Sequence, residues 1–298
     1  MALSRSERHD LAKGLAFISP WLIGFAAFTV LPIALSAYYS FNDYPMTRPP
    51  LYVGTANYVD LLHDSVFGKA LFNTLYYAAV ALPLAMITAL SLAILLNSKV
   101  RGQMIYRTLI FLPSLVPAVA SALIWLWLYN TKLGLINLLL HRIGISYSPP
   151  WLSDTAWAMP ALILMSVWSV GNTVVIYLAA LQDVPRELLE AAELDGAGVV
   201  GRIIHVTLPT ISPVIFFNLI MAIIGTLQVF TIPAIMTQGK GSPDRSLYFF
   251  TMYLYDAAFR YVRMGQASAM AWVQLLIVLA LTGIAFWSSK KWVHYQGK

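Results

Sequence analysis

Residues 185–213 read PRELLEAAELDGAGVVGRIIHVTLPTISP, and the rest of the chain is best understood outward from them. Glu187, Glu190, Glu193 and Asp195 fall within nine residues, yet apolar runs long enough to cross a bilayer lie on both sides. The stretch therefore reads as a polar loop between two membrane spans. Pro185 can open a helix there, since its missing N–H would be unpaired in a first turn anyway. Glu187 falls in that first turn, where the helix dipole favours negative charge. Leu188, Leu189, Ala191, Ala192 and Leu194 supply an apolar side, and Gly196 can end the helix by turning left-handed. The helix this predicts is about ten residues long, too short and too charged to span. Thr207-Leu208-Pro209 then opens the next one.

Composition agrees with a membrane setting. The 298 residues are 59% hydrophobic and 11% charged, with mean hydropathy +0.71. A soluble domain carries about 25% charged residues. The net charge of +6 comes without a basic patch interleaved with aromatics, so nucleic acid is not an expected partner. The lipid bilayer is. There is no cysteine, which excludes disulfides, thiol nucleophiles and Cys-bound metals. The five histidines lie far apart without ligand spacing, so no metal site is expected.

Read in order, the chain predicts an all-α polytopic protein with six transmembrane helices. A polar leader with Arg5, Arg8 and Lys13 precedes an apolar run from Gly14 to about Ser40, longer than a signal-peptide core and read as a retained first helix. A turn-rich outer loop, 42–69, follows. The second span is Leu71–Leu96, and the third runs from Arg107 to about Tyr129. Pro113 and Pro117 inside the third predict a kinked or unwound helix. After a second long polar connection, 130–155, the fourth span is Ala156–Leu181 and the fifth Ser212–Thr237. The segment Leu247–Arg263 reads as an amphipathic helix at the surface, and Gly265–Ser289 is the sixth span. Three parts are expected: 1–69 with the first helix and outer loop, a five-helix core at 70–290 containing the loop 182–211, and a tail at 291–298. With the N-terminus inside, inner segments hold eleven Lys and Arg against eight outside. Lys99, Arg101, Arg107, Lys290 and Lys291, close to the span ends, decide the orientation: both termini and the acidic loop are cytoplasmic.

What the spans lack narrows the chemistry. None contains Asp or Glu, the groups that carry proton relays and ion coupling in membranes, and the same absence removes the acid/base pair of an intramembrane enzyme. No catalytic residues are expected. Nor is there a GxxxxGK[ST] loop, so nucleotide hydrolysis must come from separate chains, with ATP and Mg bound there and no cofactor bound here. The polar residues inside the spans are neutral. Asn172 in the fourth, Thr226, Gln228 and Thr231 in the fifth and Gln274 in the sixth, with the nearby Trp168, suit a path for a hydroxyl-rich, uncharged solute. Helix–helix hydrogen bonding is the competing role for each. The short acidic helix suits docking into a groove of another protein. The alternative is an interfacial helix lying on lipid headgroups, but such helices are rich in Lys and Arg, and this one has Arg186 alone.

At this point a resemblance becomes specific. Glu190-Ala191-Ala192, three residues, Gly196, nine residues, then Val206-Thr207-Leu208-Pro209 resembles the EAA motif of ABC importer membrane subunits. Val206 stands where isoleucine is usual, and Ile203 where an aromatic is common. Ser19-Pro20, Leu31-Pro32, Tyr39–Tyr44, Asn73-Thr74 and the Gly-Ser-Pro-Asp at 241–244 extend the likeness to the maltose-type branch. The resemblance implies a type I importer permease fold in a bacterial cytoplasmic membrane. It also implies a second, homologous permease subunit, two ATP-binding cassette subunits and an extracytoplasmic binding protein that delivers a carbohydrate. It assigns coupling to Glu187, Glu190, Ala191, Ala192, Asp195, Gly196, Leu208 and Pro209, and makes Thr226 and Gln228 the best matches to sugar contacts. Another cargo such as glycerol phosphate, or a stand-alone channel or carrier, stays open at this level.

Overall fold

The computed structural model describes residues 5–98 and 102–294, the side chains of 5–8 and 12 excepted. Lys99 and Arg101, invoked above for orientation, lie outside the described residues. Helices dominate, and the chain forms two compact units. One runs to Asp64 and takes in Leu254–Val273; the other comprises Ser65–Tyr253 and the chain from Gln274 onward.

In the first unit a helix, Arg5–Phe25, passes through a five-residue π-helical turn, Ala26–Val30, into Leu31–Ser40. The turn has a local cause. Proline at position i clashes with the carbonyl of i−4, here Phe28, and cannot bond to it. Widening the turn so that the Leu31 N–H bonds to Ala26 moves that carbonyl aside. The same device recurs before Pro209, where Ile203–Thr207 is π-helical and the Leu208 N–H reaches Ile203. The 42–69 loop holds more order than its turn residues predict. Asn42–Asp43 pairs antiparallel with Leu51–Tyr52, and Ala56–His63 is helical. Asn57 fastens them, its amide donating to the carbonyls of Ser40 at 2.9 Å and Asn42 at 3.0 Å. Gly265 has no side chain because the Asn42 carbonyl lies where a Cβ would be.

The second unit is built on the helix Ser65–Asn97, 33 residues long. It packs against Thr155–Trp168, Gly171–Gln182 and Leu208–Leu227. Ala89 and Ala93 are fully buried at this contact, facing a cluster that includes Val174, Tyr177, Leu178, Leu181 and Ile211. Small residues are what close helix approach in a bilayer requires, since lipid is as apolar as leucine and burial drives little.

Among the described residues four helices are long and apolar enough to cross a membrane, and two bent pairs bring the spans to six when each pair crosses once. Gln103–Leu115 and Ala118–Leu128 meet at 101°, as the two prolines of the third span predict. Thr155–Trp168 and Gly171–Gln182 meet at 46°, a bend no proline marks. Pro160 lies in the straight part of that span. The fifth helix, Leu208–Leu227, stops at Gln228 and resumes at Thr231–Met236, Phe230 adopting φ −141° and ψ −60° between them.

One expectation is corrected. Leu247–Arg263 is not a surface helix: Leu247, Phe249, Phe250, Met252 and Ala257 are each 2% exposed or less, and only Phe250–Tyr255, with a π-helical turn Asp256–Arg260, is helical. The reason lies far away in sequence. The Asn73 amide donates to the carbonyls of Arg245 at 2.7 Å and Tyr248 at 3.0 Å, and the Thr74 hydroxyl accepts from the Phe250 N–H at 2.9 Å. These bonds pin the front of the segment into the core.

Candidate functional site

The loop after the fourth span folds as its residues dictate. Arg186–Leu194 is a helix with Pro185 extended before it and Glu187 in its first turn. Its end is a complete Schellman motif: the Gly196 N–H bonds to the Glu193 carbonyl at 3.0 Å, and the Ala197 N–H to that of Ala192 at 2.9 Å. Gly196 has φ +82°, a conformation that a β-carbon would strain. Beyond it, Arg202 reaches back to the Glu193 carboxylate at 2.6 Å and ties the two halves of the loop together.

The helix presents two faces. Leu189 packs on the buried cluster of the second unit, as does Leu208 further on, and Ala192 is half-buried. Glu187, Glu190, Ala191 and Leu194, three or four residues apart, form an exposed stripe, with Leu194 89% exposed. Val199, Val200 and Ile204 are exposed on the loop's second half. Apolar side chains gathered on a polar loop mark a protein contact. The helix is thus seated on its own spans by one side and offers carboxylates and leucine on the other.

Within the second unit, the three interrupted spans meet at one cavity of about 190 Å³. Val116 and Ala118 flank the break of the third span, Ser169 is at that of the fourth and Val229 at that of the fifth; all line it. Leu162, Met165, Ile232 and Pro233 make most of the wall apolar, and Tyr77, Ser121, Ser166 and Trp168 add hydroxyls and aromatic rings to it. Trp168 stands edge-on to Trp125, ring centres 5.9 Å apart. Gly171 makes the geometry possible. A β-carbon there would lie 2.6 Å from the Ile110 carbonyl and 2.9 Å from the Phe111 Cα, so only glycine lets the two bent spans approach this closely.

The residues chosen from sequence are distributed unevenly around this cavity. Trp168 lines it. Asn172, Gln228 and Thr231 are exposed beside the breaks of the fourth and fifth spans. Thr226 donates to the Ala222 carbonyl at 2.7 Å and lines a separate apolar groove with Leu75, Pro83 and Leu281. Gln274 donates to the Leu227 carbonyl at 2.7 Å, an acceptor freed where the fifth helix stops, and to the Thr251 hydroxyl at 3.3 Å. Tyr77, Ser121, Ser166 and Ser169 were not among the sequence candidates. The spacing of Ser166 and Ser169 beside Trp168 was the available signal. Among the described residues no group of three His, Asp or Glu side chains could hold a metal ion.

Broken spans around a common cavity, joined to a helix that packs on them by one face and exposes the other, fit a membrane subunit of a transport machine. The chain belongs to the family described as binding-protein-dependent transport system inner membrane component, whose model matches residues 74–293. It is 41% identical over 300 residues to the probable ABC transporter permease protein YesP of Bacillus subtilis (strain 168), covering 100% of this chain and 97% of that one. It is 34% identical over 293 residues to the lactose transport system permease protein LacF of Rhizobium radiobacter, covering 97% of each. In fold it matches a chain in the crystal structure of a bacterial alginate ABC transporter in complex with an alginate pentasaccharide-bound periplasmic protein. The TM-score is 0.81 at 23% identity, covering 95% of this chain and 96% of that one. The six-span architecture is that of the type I importer permeases.

Proposed function

We propose that this chain is one of two homologous permease subunits in an ATP-driven importer of a sugar or oligosaccharide, oriented with both termini and the 185–213 loop in the cytoplasm. The observation that carries the reading is the exposed stripe Glu187-Glu190-Ala191-Leu194, held on the transmembrane core through Leu189. A helix seated this way transmits a push or pull to the spans beneath it. Two ATPase subunits, with ATP and Mg bound to them, supply that movement; Glu187, Glu190 and Asp195 meet basic residues of the ATPase groove, and Ala191 and Ala192 allow close approach. Leu208 and Pro209 pass the motion into the fifth span. An extracytoplasmic binding protein delivers the solute.

The cargo reading rests on the character of the path. Hydroxyls and Trp168 line the cavity at the breaks, which suits the hydroxyl-rich faces and apolar C–H edges of a sugar ring. Asn172, Gln228 and Thr231 extend the path along the exposed edges with Thr226 near them, while Gln274 braces the end of the fifth helix through the Leu227 carbonyl. The name of the lactose-system relative points the same way.

The test uses the assembled importer in proteoliposomes. Glu190→Lys and Gly196→Pro should leave the chain in the membrane but lower sugar uptake and sugar-stimulated ATP hydrolysis by at least about tenfold, the equivalent of about 1.4 kcal/mol in barrier. Undiminished uptake in both would overturn the coupling role. Uptake of glycerol phosphate with no uptake of mono- or oligosaccharides would overturn the cargo.

A further inference from the structure

A second cavity in the same unit has a different chemistry. About 180 Å³ in volume, it lies between the end of the second span, near Leu96, and the parts of the third and fourth spans around Arg107 and Gln182. Leu96, Ile110, Val174 and Leu178 make it apolar, and Arg107 and Gln182 are its polar lining. The Arg107 Nε is buried and has no hydrogen-bond partner among the described residues. None of the three ion pairs among them includes Arg107. A buried guanidinium nitrogen without an acceptor is costly, so a group that supplies one is strongly favoured. Carboxylates are absent from the lining. The ligand that fits combines an anion for a planar fork of donors with apolar surface for the walls.

We propose that this cavity is a binding site for the phosphate headgroup of an anionic phospholipid, with Arg107 holding the phosphate, Gln182 donating beside it and an acyl chain along the apolar walls. The guanidinium matches two phosphate oxygens at once, which an ammonium group does not. Basic pockets between spans on the cytoplasmic side are where such headgroups are held. The cytoplasmic placement rests on the orientation proposed above. The site matters for coupling because Gln182 lies three residues before Pro185, at the start of the loop. A bound headgroup ties the third span to the segment that leads into the coupling helix.

The experiment places the assembled importer in nanodiscs of mixed phosphatidylglycerol and phosphatidylcholine, then measures retained lipid by native mass spectrometry after detergent transfer. Both leaflets are identical there, so the result does not depend on the orientation, which cysteine labelling of the 98–102 turn reads separately. The expected result is retained phosphatidylglycerol, reduced about tenfold by Arg107→Gln and less by Arg107→Lys. Arg142→Gln, on the polar loop 130–155, should change nothing. Equal retention of the two lipids, or equal retention by the parent and Arg107→Gln, overturns the site. Adding millimolar inorganic phosphate to delipidated protein separates the sources: Arg107-dependent binding of phosphate with no preference for phosphatidylglycerol overturns the lipid in favour of a free anion. Gln182→Leu guards against misfolding at Arg107, since it should halve retention or more in a protein of unchanged thermal stability. Full retention in that variant counts against the site.

Discussion

The 185–213 loop and the broken-span cavity hold their shapes in opposite ways. The loop is made by neighbours: Gly196 ends a helix begun ten residues earlier, and Arg202 closes on Glu193 nine residues away. The cavity is made by strangers. The bend of the fourth span depends on Gly171 lying against Ile110 and Phe111, and Tyr77 in the cavity lining rests on Phe249, in a segment that Asn73 holds from 172 residues away. A locally specified element keeps its form while it is pushed about. An element specified by distant contacts changes form when those contacts shift, which is what a gate requires. On this view the loop should tolerate damage with little loss of stability and large loss of coupling, and the cavity the reverse.

The largest expected effect is on the cavity side. Asn73→Leu removes the donor to two buried carbonyls, those of Arg245 and Tyr248, at about 1–3 kcal/mol each. Its apparent midpoint of thermal unfolding in detergent should fall well below the parent's, and the 245–253 segment should become open to proteolysis. An unchanged midpoint would mean the long-range bonds do not hold the wall. Gly171→Val comes next. Its side chain would push into the Ile110 carbonyl, at about 1–3 kcal/mol of overpacking, and should straighten or separate the bent spans. Distance measurements between spin labels on the third and fourth spans would report it, and no change in spacing would refute the close-approach role. The smallest effect belongs to the loop. Gly196→Ala keeps the helix but strains its left-handed end by about 1 kcal/mol. Its thermal midpoint should move little while uptake falls; a stability loss as large as that of Asn73→Leu would erase the contrast between the two regions.

How much of this was legible from residues alone follows the same division. The Pro185 start, the Glu187 first turn and the Gly196 stop are all local signals, and the helix Arg186–Leu194 appears where they place it. Pro113 and Pro117 marked the break of the third span for the same reason. The bend at Ser169 and Val170 carries no such mark, because it comes from packing on another span. Leu247–Arg263 misled because an amphipathic pattern says that one face is apolar, not what covers the other. Thr226 and Gln274 are solute-path candidates because polarity in a span is visible in sequence, whereas the backbone carbonyls to which they donate are visible only in the fold.

By itself the amino-acid sequence determined the membrane setting, the six spans and the shape of the 185–213 loop, since each rests on composition or on bonds within about one or two helical turns. Only the tertiary structure decided that the breaks of three spans converge on one cavity, that Asn73 and Thr74 bury the segment after Arg245, and that Arg107 lies in an apolar pocket with no partner for its Nε among the described residues. The physical reason is distance along the chain: a bond between residues far apart in sequence leaves no period or spacing to read, and only the packed helices bring its two ends together.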